Sequence, residues 1–366
     1  MPLSTFRPDQ YHALLTAKVN AALPGFRELY RGEVDIVHSP AEHFRMRAEF
    51  RMWHADGRIE FAMFRPQAPR QPVFLTDFPI ASRHISERMP ALKAALDADP
   101  LLRGKLFQVE FLTTSGDDTL LTLIYHRPLD ERWDEAASRL QTALGLKIIG
   151  RSRRQRRVLS DDFVTEVVQL DGRRYRYRQA EGAFTQPNGA VNQRMVQWVL
   201  DHSPRSDGDL LELYCGIGNF TLPLASRFRQ VLATEISKQA VACARHNLAT
   251  NGIDNVRLLR MSSEEFGHAL DRVRPYRRLA EVDLDALRLQ TALVDPPRAG
   301  LDPATLQVIR GCGRIIYISC NPVTLLENLH TLASSHHLTA LAFFDQFPYT
   351  PHLECGVILQ RNPAAP

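Results

Sequence analysis

The sequence predicts an α/β protein: a doubly wound, mostly parallel sheet in the C-terminal half follows an N-terminal domain of mixed α and β structure. Two observations predict the sheet. Short apolar runs of strand length alternate with helical patterns, and a glycine-rich turn follows the first of these runs. Such a sheet binds ligands at the carboxyl ends of its strands, so we expect the functional site at that edge.

The strands of the C-terminal half are apolar runs bounded by turn residues. We predict them at 210–214, 231–235, 256–261, 291–295, 314–319, 338–344 and 354–359. Helices are predicted at 188–202, 220–227, 238–251 and 323–334, and Gly252 ends the third of these helices. No helical pattern separates the last two strands, so we expect them to form an antiparallel pair.

The N-terminal half combines a helix, predicted at 9–23, with hairpins. Apolar and charged residues alternate through HFRMRAEFRMW (residues 43–53), as in a strand with one buried face. Asp56-Gly57 and Asp171-Gly172 are turn pairs that predict two hairpins. We place the domain boundary near residue 180, which gives an N-terminal domain at 1–180 and a C-terminal domain at 181–366.

Composition and charge limit the class of protein. No apolar run approaches the ~20 residues of a membrane span, and the start of the chain lacks a secretory signal pattern. The five cysteines form no C-x-x-C pair, which argues against a disulfide scaffold or a metal cluster and favours the cytoplasm. Residues 1–180 hold 28 Lys and Arg against 23 Asp and Glu, whereas residues 181–366 hold 17 against 18. This asymmetry favours a polyanion contact on the first half.

A cofactor loop is predicted at residues 212–220, ELYCGIGNF, between a strand and a helix. Gly216 and Gly218 permit close approach of a ligand to the backbone, but a dinucleotide fold would need a glycine where Thr221 stands. S-adenosylmethionine has no pyrophosphate and tolerates this change, and an antiparallel last strand is typical of methyltransferases that use it. Glu235, at the end of the next strand, can accept both ribose hydroxyls. The alternative is an ordinary tight turn and a solvent-facing glutamate.

Three further residues stand where strands meet the ligand edge. Asp295 ends one strand before Pro-Pro-Arg, Cys320 ends the next within Y-I-S-C-N-P, and Glu354 begins the last strand. A cysteine in this position is suited to act as a nucleophile, and a nearby glutamate to act as a general base. Taken singly, each has an alternative: a buried apolar cysteine, an aspartate in a turn, and a solvated glutamate.

These motifs together resemble the RNA uracil-C5 methyltransferases. The resemblance rests on E-L-Y-C-G-x-G-N-F, D-P-P-R-x-G-L, Y-I-S-C-N-P, F-D-Q-F-P-Y-T-x-H-x-E-C-G, F-T-Q-P-N at 184–188, and H-F-R-M-R-A-E-F-R and K-L-F-Q near the N-terminus. It implies that Cys320 is the nucleophile and Glu354 the proton-removing base. It also implies the S-adenosylmethionine contacts Gln186, Tyr214, Asn219, Glu235 and Asp295.

Within that family the likeness is greatest to the bacterial enzymes that form 5-methyluridine at position 54 of the tRNA T-loop. The resemblance therefore implies tRNA as the partner, with other structured RNAs that carry a T-loop-like hairpin as further candidates. The ribosomal-RNA relatives usually add an N-terminal barrel and a four-cysteine iron–sulfur motif, whereas no cysteine precedes Cys215 here. A ribosomal-RNA enzyme remains the alternative.

Other functions are also considered. A cytosine-C5 enzyme commonly has Pro-Cys where this chain has Pro-Pro-Arg, and a nicotinamide dehydrogenase is disfavoured by Thr221. A non-catalytic RNA-binding folding helper would keep the cofactor fold as a scaffold. Residues that could grip RNA are Arg45, Arg47, Arg51, Phe107 and the basic run 151–157, although a solvated strand face or surface charge explains them equally well.

Overall fold

Two large sheets and one separate hairpin organise the computed structural model of this chain, which describes residues 5–65 and 68–363. The eight-stranded sheet contains β1 (Val34–Val37), β11 (Asp209–Leu213), β12 (Val231–Thr234), β13 (Val256–Leu259), β14 (Leu289–Val294), β15 (Arg314–Ser319), β16 (His336–Phe344) and β17 (Glu354–Arg361). Its strand order is β1-β16-β17-β15-β14-β11-β12-β13.

Strands β11 to β15 are mutually parallel where they pair, and β17 runs antiparallel to both β15 and β16. From β11 the chain continues to β12 and β13 on one side, and then to β14 and β15 on the other side. This switch in strand order opens a crevice between β11 and β14 at their carboxyl ends. The helices of this half are α5 (Gly189–Asp201), α6 (Thr221–Leu224), α7 (Lys238–Thr250), α8 (Ser263–Leu270), α9 (Pro303–Arg310) and α10 (Pro322–Leu332). The predicted α/β fold, including its antiparallel last pair, is confirmed.

The second sheet has seven strands in the order β4-β3-β2-β5-β6-β7-β8. They are β2 (Arg47–Ala55), β3 (Arg58–Arg65), β4 (Ala68–Leu75), β5 (Leu106–Thr113), β6 (Thr119–Tyr125), β7 (Lys147–Ser152) and β8 (Gln155–Val158). The helices of this half are α1 (Tyr11–Arg27), α2 (Arg83–Ala98), α3 (Pro100–Arg103) and α4 (Glu131–Leu144). Strands β9 (Phe163–Leu170) and β10 (Arg173–Ala180) form a separate antiparallel hairpin.

Alternation of side chains explains the burial of the second sheet. Phe50 and Met52 on β2 are buried on one face, and Phe50 packs against the rings of Phe61 and Phe111. The residues between them point to the opposite face, as expected of a strand. Both predicted turn pairs join strands and have positive φ at each position. The φ angles are 49° and 74° at Asp56 and Gly57, and 49° and 73° at Asp171 and Gly172. This is the geometry of a two-residue hairpin.

Helix α1 and strand β1 contribute to the C-terminal layer. Strand β1 pairs in parallel with β16 at the edge of the eight-stranded sheet, and helix α1 packs beside it through Phe26, whose ring lies 5.6 Å from that of Phe343. This contact also explains why α1 continues to Arg27, beyond the predicted end at residue 23. Helix α1 and strand β1 are therefore N-terminal in sequence but pack with the sheet of the C-terminal half. The domain boundary near residue 180 stays a prediction.

No helix within residues 5–65 and 68–363 has the length and apolar character that a membrane span requires.

Candidate active site

One edge of the eight-stranded sheet gathers the predicted site residues. The residue directly after each of four parallel strands lies at this edge, and the last strand, β17, begins there with Glu354. A cavity of about 850 Å³ opens over the edge. It is lined by all seven residues that the sequence singled out: Gln186, Tyr214, Asn219, Glu235, Asp295, Cys320 and Glu354. The parallel topology brings these distant positions together because parallel strands end at the same edge.

Cys320 and Glu354 are neighbours across two antiparallel strands. Ser319 on β15 pairs with Cys355 on β17, so the next pair in the register is Cys320 and Glu354. Directly opposed residues have Cβ atoms about 4.5–5.5 Å apart, and their side chains share a face of the sheet. Glu354 is 1% exposed and one of its carboxylate oxygens, Oε1, has no hydrogen-bond partner among the described residues.

The Cys320 thiol is held in its protonated form in the free protein. Burial raises its pKa to about 11, and the charges of Glu354 and Asp295 add to this effect. The guanidinium of Arg298 acts in the opposite direction and lowers the pKa of the thiol. Cys320 is only half-buried, unlike the other four cysteines, which are buried. It is therefore the cysteine that a substrate can reach.

Two carboxyl groups flank the thiol: Glu354 is buried and Asp295 is half-buried. Burial raises the pKa of Asp295 to about 7. Burial also raises the pKa of Glu354 well above its ordinary value, and the charge of Asp295 raises it further. A carboxylate with a raised pKa binds a proton more strongly once it is ionised, as a general base requires. Perturbed carboxyl groups beside a reachable thiol, in a cavity, are typical of a catalytic centre.

The cofactor loop leaves open space above its backbone. Tyr214 and Gly216 have φ of 63° and 57°, and a Cβ atom built on Gly216 would have no heavy atom within 4 Å. Glu235 lies beside this space, where its carboxylate accepts hydrogen bonds from the backbone N–H groups of Gly216 at 3.0 Å and Ser237 at 2.7 Å. A small ligand with hydroxyl groups fits this glycine and carboxylate arrangement.

Two other predicted cofactor residues, Asn219 and Tyr214, have partners that fix their orientation. Asn219 exchanges two amide hydrogen bonds with Asn192 of α5, at 2.9 and 3.0 Å. The hydroxyl of Tyr214 lies 2.7 Å from the Ser263 hydroxyl. Asn192 also lines the cavity, and the sequence analysis missed it because one polar residue on an otherwise ordinary helix gives no signal.

Arg298 connects the main cavity to a second one. It lines both the cavity over the sheet edge and a neighbouring cavity of about 740 Å³ between α1 and the start of β17, as does Cys320. The backbone carbonyl of Arg298 accepts a hydrogen bond from the Asn321 amide, and its Nη2 atom lies 3.2 Å from Nδ1 of His352. Arg298, whose charge lowers the pKa of the thiol, is thus held beside the thiol. The sequence analysis used Arg298 only as part of the Pro-Pro-Arg element that argues against a cytosine-C5 enzyme.

The approach to β17 differs from the prediction. The two prolines at 348 and 351 predict an extended segment before this strand, but Pro348 and Tyr349 form a turn, in which Tyr349 has φ of 61°. Lys18 from α1 stabilises the segment, since its ammonium donates to the Asp345 carboxylate at 2.6 Å and to the carbonyls of Phe347 and His352. The prolines alone could not predict this because the lysine comes from a distant helix.

Much of the basic run 151–157 has internal partners. Arg151 and Arg156 both pair with Glu181, which is 6% exposed, and Arg157 pairs with Asp134. The two pairs with Glu181 join the β7–β8 hairpin to the segment after β10. The pair with Asp134 joins the hairpin to α4. Arg153 and Arg154 make no ion pair with the described residues and remain candidates for phosphate contacts.

Arg47 also has an internal role. It donates from Nη2 to the carbonyl of Ala183 at 2.7 Å, so it supports the wall of the active-site cavity. Next to this contact, Phe184 lines the cavity with 70% of its surface exposed. Phe184 stands in the F-T-Q-P-N motif, which could have marked it as a site residue.

A metal site is not observed among the residues that the structure describes, where no group of three or more His, Cys, Asp or Glu is placed to hold an ion.

Comparison with known proteins identifies the family. A family model described as tRNA (Uracil-5-)-methyltransferase matches residues 10–362. The chain belongs to the tRNA (uracil-5-)-methyltransferase family. Members of this family named tRNA/tmRNA (uracil-C(5))-methyltransferase match over nearly their whole length. The relative from Azotobacter vinelandii is 54% identical over 99% of this chain and 100% of its own, and that from Ectopseudomonas mendocina is 52% identical over the same shares.

A solved structure with the same fold supports the architecture. The tRNA (uracil-54, C5)-methyltransferase of Pyrococcus abyssi, crystallised with S-adenosyl-L-homocysteine, superposes with a TM-score of 0.73 and 21% identity. The match covers 95% of this chain and 83% of the other. The two chains therefore share a fold. The family model and the relatives confirm the predicted resemblance.

Proposed function

We propose that this protein transfers a methyl group from S-adenosylmethionine to carbon 5 of the uridine at position 54 in the T-loop of tRNA. In this proposal Cys320 is the nucleophile and Glu354 the general base. The observation that carries the proposal is the juxtaposition of the reachable Cys320 thiol and the buried Glu354 carboxyl in the cavity that the cofactor loop also lines. Family membership agrees with the reaction.

Carbon 5 of uracil is a weak nucleophile, and Cys320 overcomes this. The proton of the thiol leaves, and the thiolate forms a bond to carbon 6 of the ring, whose electrons move to carbon 5 and the carbonyl at carbon 4. S-adenosylmethionine supplies the electrophilic methyl group that carbon 5 takes up. Glu354 then removes the proton from carbon 5, the double bond re-forms, and the bond between sulfur and carbon 6 breaks. Covalent catalysis thus divides a difficult substitution into smaller steps.

The cofactor residues have separate tasks in this proposal. The open space above Gly216 admits the cofactor, and the Glu235 carboxylate, already held by two backbone N–H groups, has oxygen lone pairs left for the ribose hydroxyls. Gln186, Tyr214, Asn219 and Asp295 surround the same cavity. Because the half-buried Asp295 lines the cavity beside Glu354, a bound cofactor would also exclude water from both carboxyl groups.

The substrate is RNA with an accessible uridine. The base must leave its stack to reach a thiol inside a cavity, which favours a loop nucleotide over one in a duplex. The relatives are named for both tRNA and tmRNA, so we propose that hairpins resembling the T-loop in other RNAs are also substrates. A cytoplasmic location, where such RNAs are found, stays a prediction.

The proposed function is tested with radiolabelled S-adenosylmethionine and unmodified tRNA transcripts. Nucleoside analysis should find one 5-methyluridine per transcript, and a transcript in which uridine 54 is replaced by cytidine should take up no label. A ribosomal-RNA fragment serves as the control for the alternative substrate. Equal labelling of the cytidine-54 transcript, or labelling of the ribosomal fragment alone, would contradict the proposal.

A further inference from the structure

An exposed aromatic pair lies on the N-terminal sheet, away from the active site. Trp53 on β2 is 39% exposed and Phe74 on the edge strand β4 is 53% exposed. Their ring centroids are 6.3 Å apart with an angle of 64° between the planes. Ala62 on β3 pairs with Phe74 on one side and Arg51 on the other, and it is 1% exposed. The larger side chains around this alanine therefore form a continuous surface over it.

The pair lies on the face of the sheet that the helices do not cover. Trp53 follows Arg51 by two residues, so both point away from the buried Phe50 and Met52. The guanidinium of Arg51 lies 3.8 Å from the centroid of the Phe107 ring. The Phe107 ring in turn stacks on His126 at 4.1 Å, with 26° between the planes.

These groups form one row across the sheet, which we call the aromatic row: Trp53, Phe74, Arg51, Phe107 and His126. It runs from the edge strand β4 to the end of β6, over four strand spacings or about 19 Å. The row alternates π faces with a cation, and both groups stack on nucleobases.

The charge around Trp53 and Phe74 favours a polyanion. Arg58 stands four residues before Ala62 on β3 and therefore shares its face, and Arg70 lies on the same edge strand as Phe74. Both arginines are exposed, and neither forms an ion pair with any residue described in the structure. The acidic neighbour Glu60 is neutralised by Lys93 at 3.2 Å. Unpaired arginines around exposed aromatic rings suit phosphates and bases better than a second apolar protein surface.

We propose that Trp53 and Phe74 form a base-stacking platform for the substrate RNA, which takes an unpaired base of the same molecule whose uridine enters the active site. This inference rests on the proposed function. Strand β2 begins at Arg47, which contacts the cavity wall at Ala183, and Trp53 follows six residues later. At ~3.3 Å per residue the platform lies about 20 Å from that wall, which roughly six stacked nucleotides can span.

The platform gives a direct optical test. The chain has three tryptophans, and Trp133 and Trp198 are 0% and 7% exposed, so Trp53 is the one that RNA can reach. Titration of the full-length protein with an unmodified tRNA transcript should quench the tryptophan emission. The quenching should disappear in Trp53→Phe, which keeps an aromatic ring, while the variant still binds RNA.

Binding should weaken when the platform loses a ring. We expect Phe74→Ala to raise the Kd for the transcript about tenfold, with unchanged kcat at saturating RNA. Val273→Ala is the matched control, because Val273 is 64% exposed but lies in the catalytic half. Unfolding curves of both variants should match that of the wild type.

Each other outcome has a definite meaning. An unquenched Trp53 together with an unchanged Kd in Phe74→Ala would overturn the platform, even if the wild type methylates the transcript normally. A concentration-dependent dimer that Phe74→Ala abolishes would overturn it as well, by assigning the patch to a second copy of the chain. A wild-type protein that neither binds nor methylates the transcript would instead overturn the proposed function, and the platform with it.

Discussion

The carboxyl groups of Asp295 and Glu354 lie close together beside the thiol of Cys320, although they enter the site from different strands. Asp295 directly follows the parallel strand β14, whereas Glu354 begins the antiparallel strand β17. The charge of Asp295 raises the pKa of Glu354, and both carboxyl groups raise the pKa of the thiol. The protonation of the three groups is therefore linked, and the Cys320 thiol stays protonated in the free protein.

Replacement of Glu354 should make the free thiol more acidic. In Glu354→Gln the pKa of Cys320 should fall from about 11, because one of the negative charges that raise it is removed. The rate of iodoacetamide alkylation at Cys320, followed by mass spectrometry, should then rise at pH 8. Arg298→Gln should have the opposite effect, since the Arg298 charge lowers the thiol pKa. Equal alkylation rates in both variants and the wild type would contradict this electrostatic account.

The reaction should become faster as the pH rises through the neutral range. The pKa values of Cys320 and Glu354 are both raised, so their reactive ionised forms increase with pH. We expect single-turnover methylation by RNA-saturated enzyme to accelerate from pH 6 to pH 9. A rate that is constant over this range, with RNA binding also constant, would mean that neither group titrates in the rate-limiting step.

A side chain at Gly216 should weaken cofactor binding more than stability. Gly216 has φ of 57° and faces open space in the cavity, so the Cβ of Gly216→Ala would occupy space left for the ligand. Gly252→Ala is a close control, because Gly252 has φ of 63° and equally open surroundings but follows helix α7 outside the cavity. Both should lose about 1 kcal/mol of stability from the left-handed backbone. Only Gly216→Ala should lower the calorimetric affinity for S-adenosylhomocysteine.

The ion pairs of Glu181 with Arg151 and Arg156 should contribute to stability. Burial would raise the pKa of Glu181, but Arg151 and Arg156 hold it below its ordinary value. We expect Glu181→Gln to lower the free energy of unfolding by about 1–3 kcal/mol, less than a fully buried pair would lose because both arginines are partly exposed. Urea unfolding at pH 7 measures this, with Glu135→Gln, an exposed residue of α4, as control.

The pH dependence of this effect has a defined sign. A carboxyl with a lowered folded pKa stabilises the protein above its unfolded pKa, near the ordinary value of 4.5, and the stabilisation is lost as the pH falls through the folded pKa. The difference between wild type and Glu181→Gln should therefore shrink in acid. A difference that persists unchanged at pH 3 would assign the effect to packing rather than to charge.

The sequence predicted the catalytic layer well because its signals are local. Apolar runs defined the strands to within a few residues, and their ends marked Tyr214, Glu235, Asp295 and Cys320, each the first residue after its observed strand. The same alternation, with hairpin turns, predicted β2, β3, β9 and β10.

Long-range contacts escaped prediction. Strand β1 joins the eight-stranded sheet by pairing with β16, some 300 residues away, and Lys18 supports the approach to Glu354 from α1. Neither contact has a local signature. The ion pairs of Arg151 and Arg156 likewise depend on the tertiary packing that brings Glu181 beside them. Part of the basic run that suggested RNA contact therefore forms internal ion pairs.

The most direct test of the central claim uses an RNA hairpin with 5-fluorouridine at the target position. Fluorine cannot leave carbon 5 as a proton does, so Glu354 cannot release the adduct and the protein stays bonded to the RNA. With S-adenosylmethionine present, the wild type and Cys243→Ala should give a covalent complex on a denaturing gel, and Cys320→Ala should give none. Glu354→Gln should also accumulate an adduct with unmodified RNA. A covalent complex that survives in Cys320→Ala would contradict the assignment of the nucleophile.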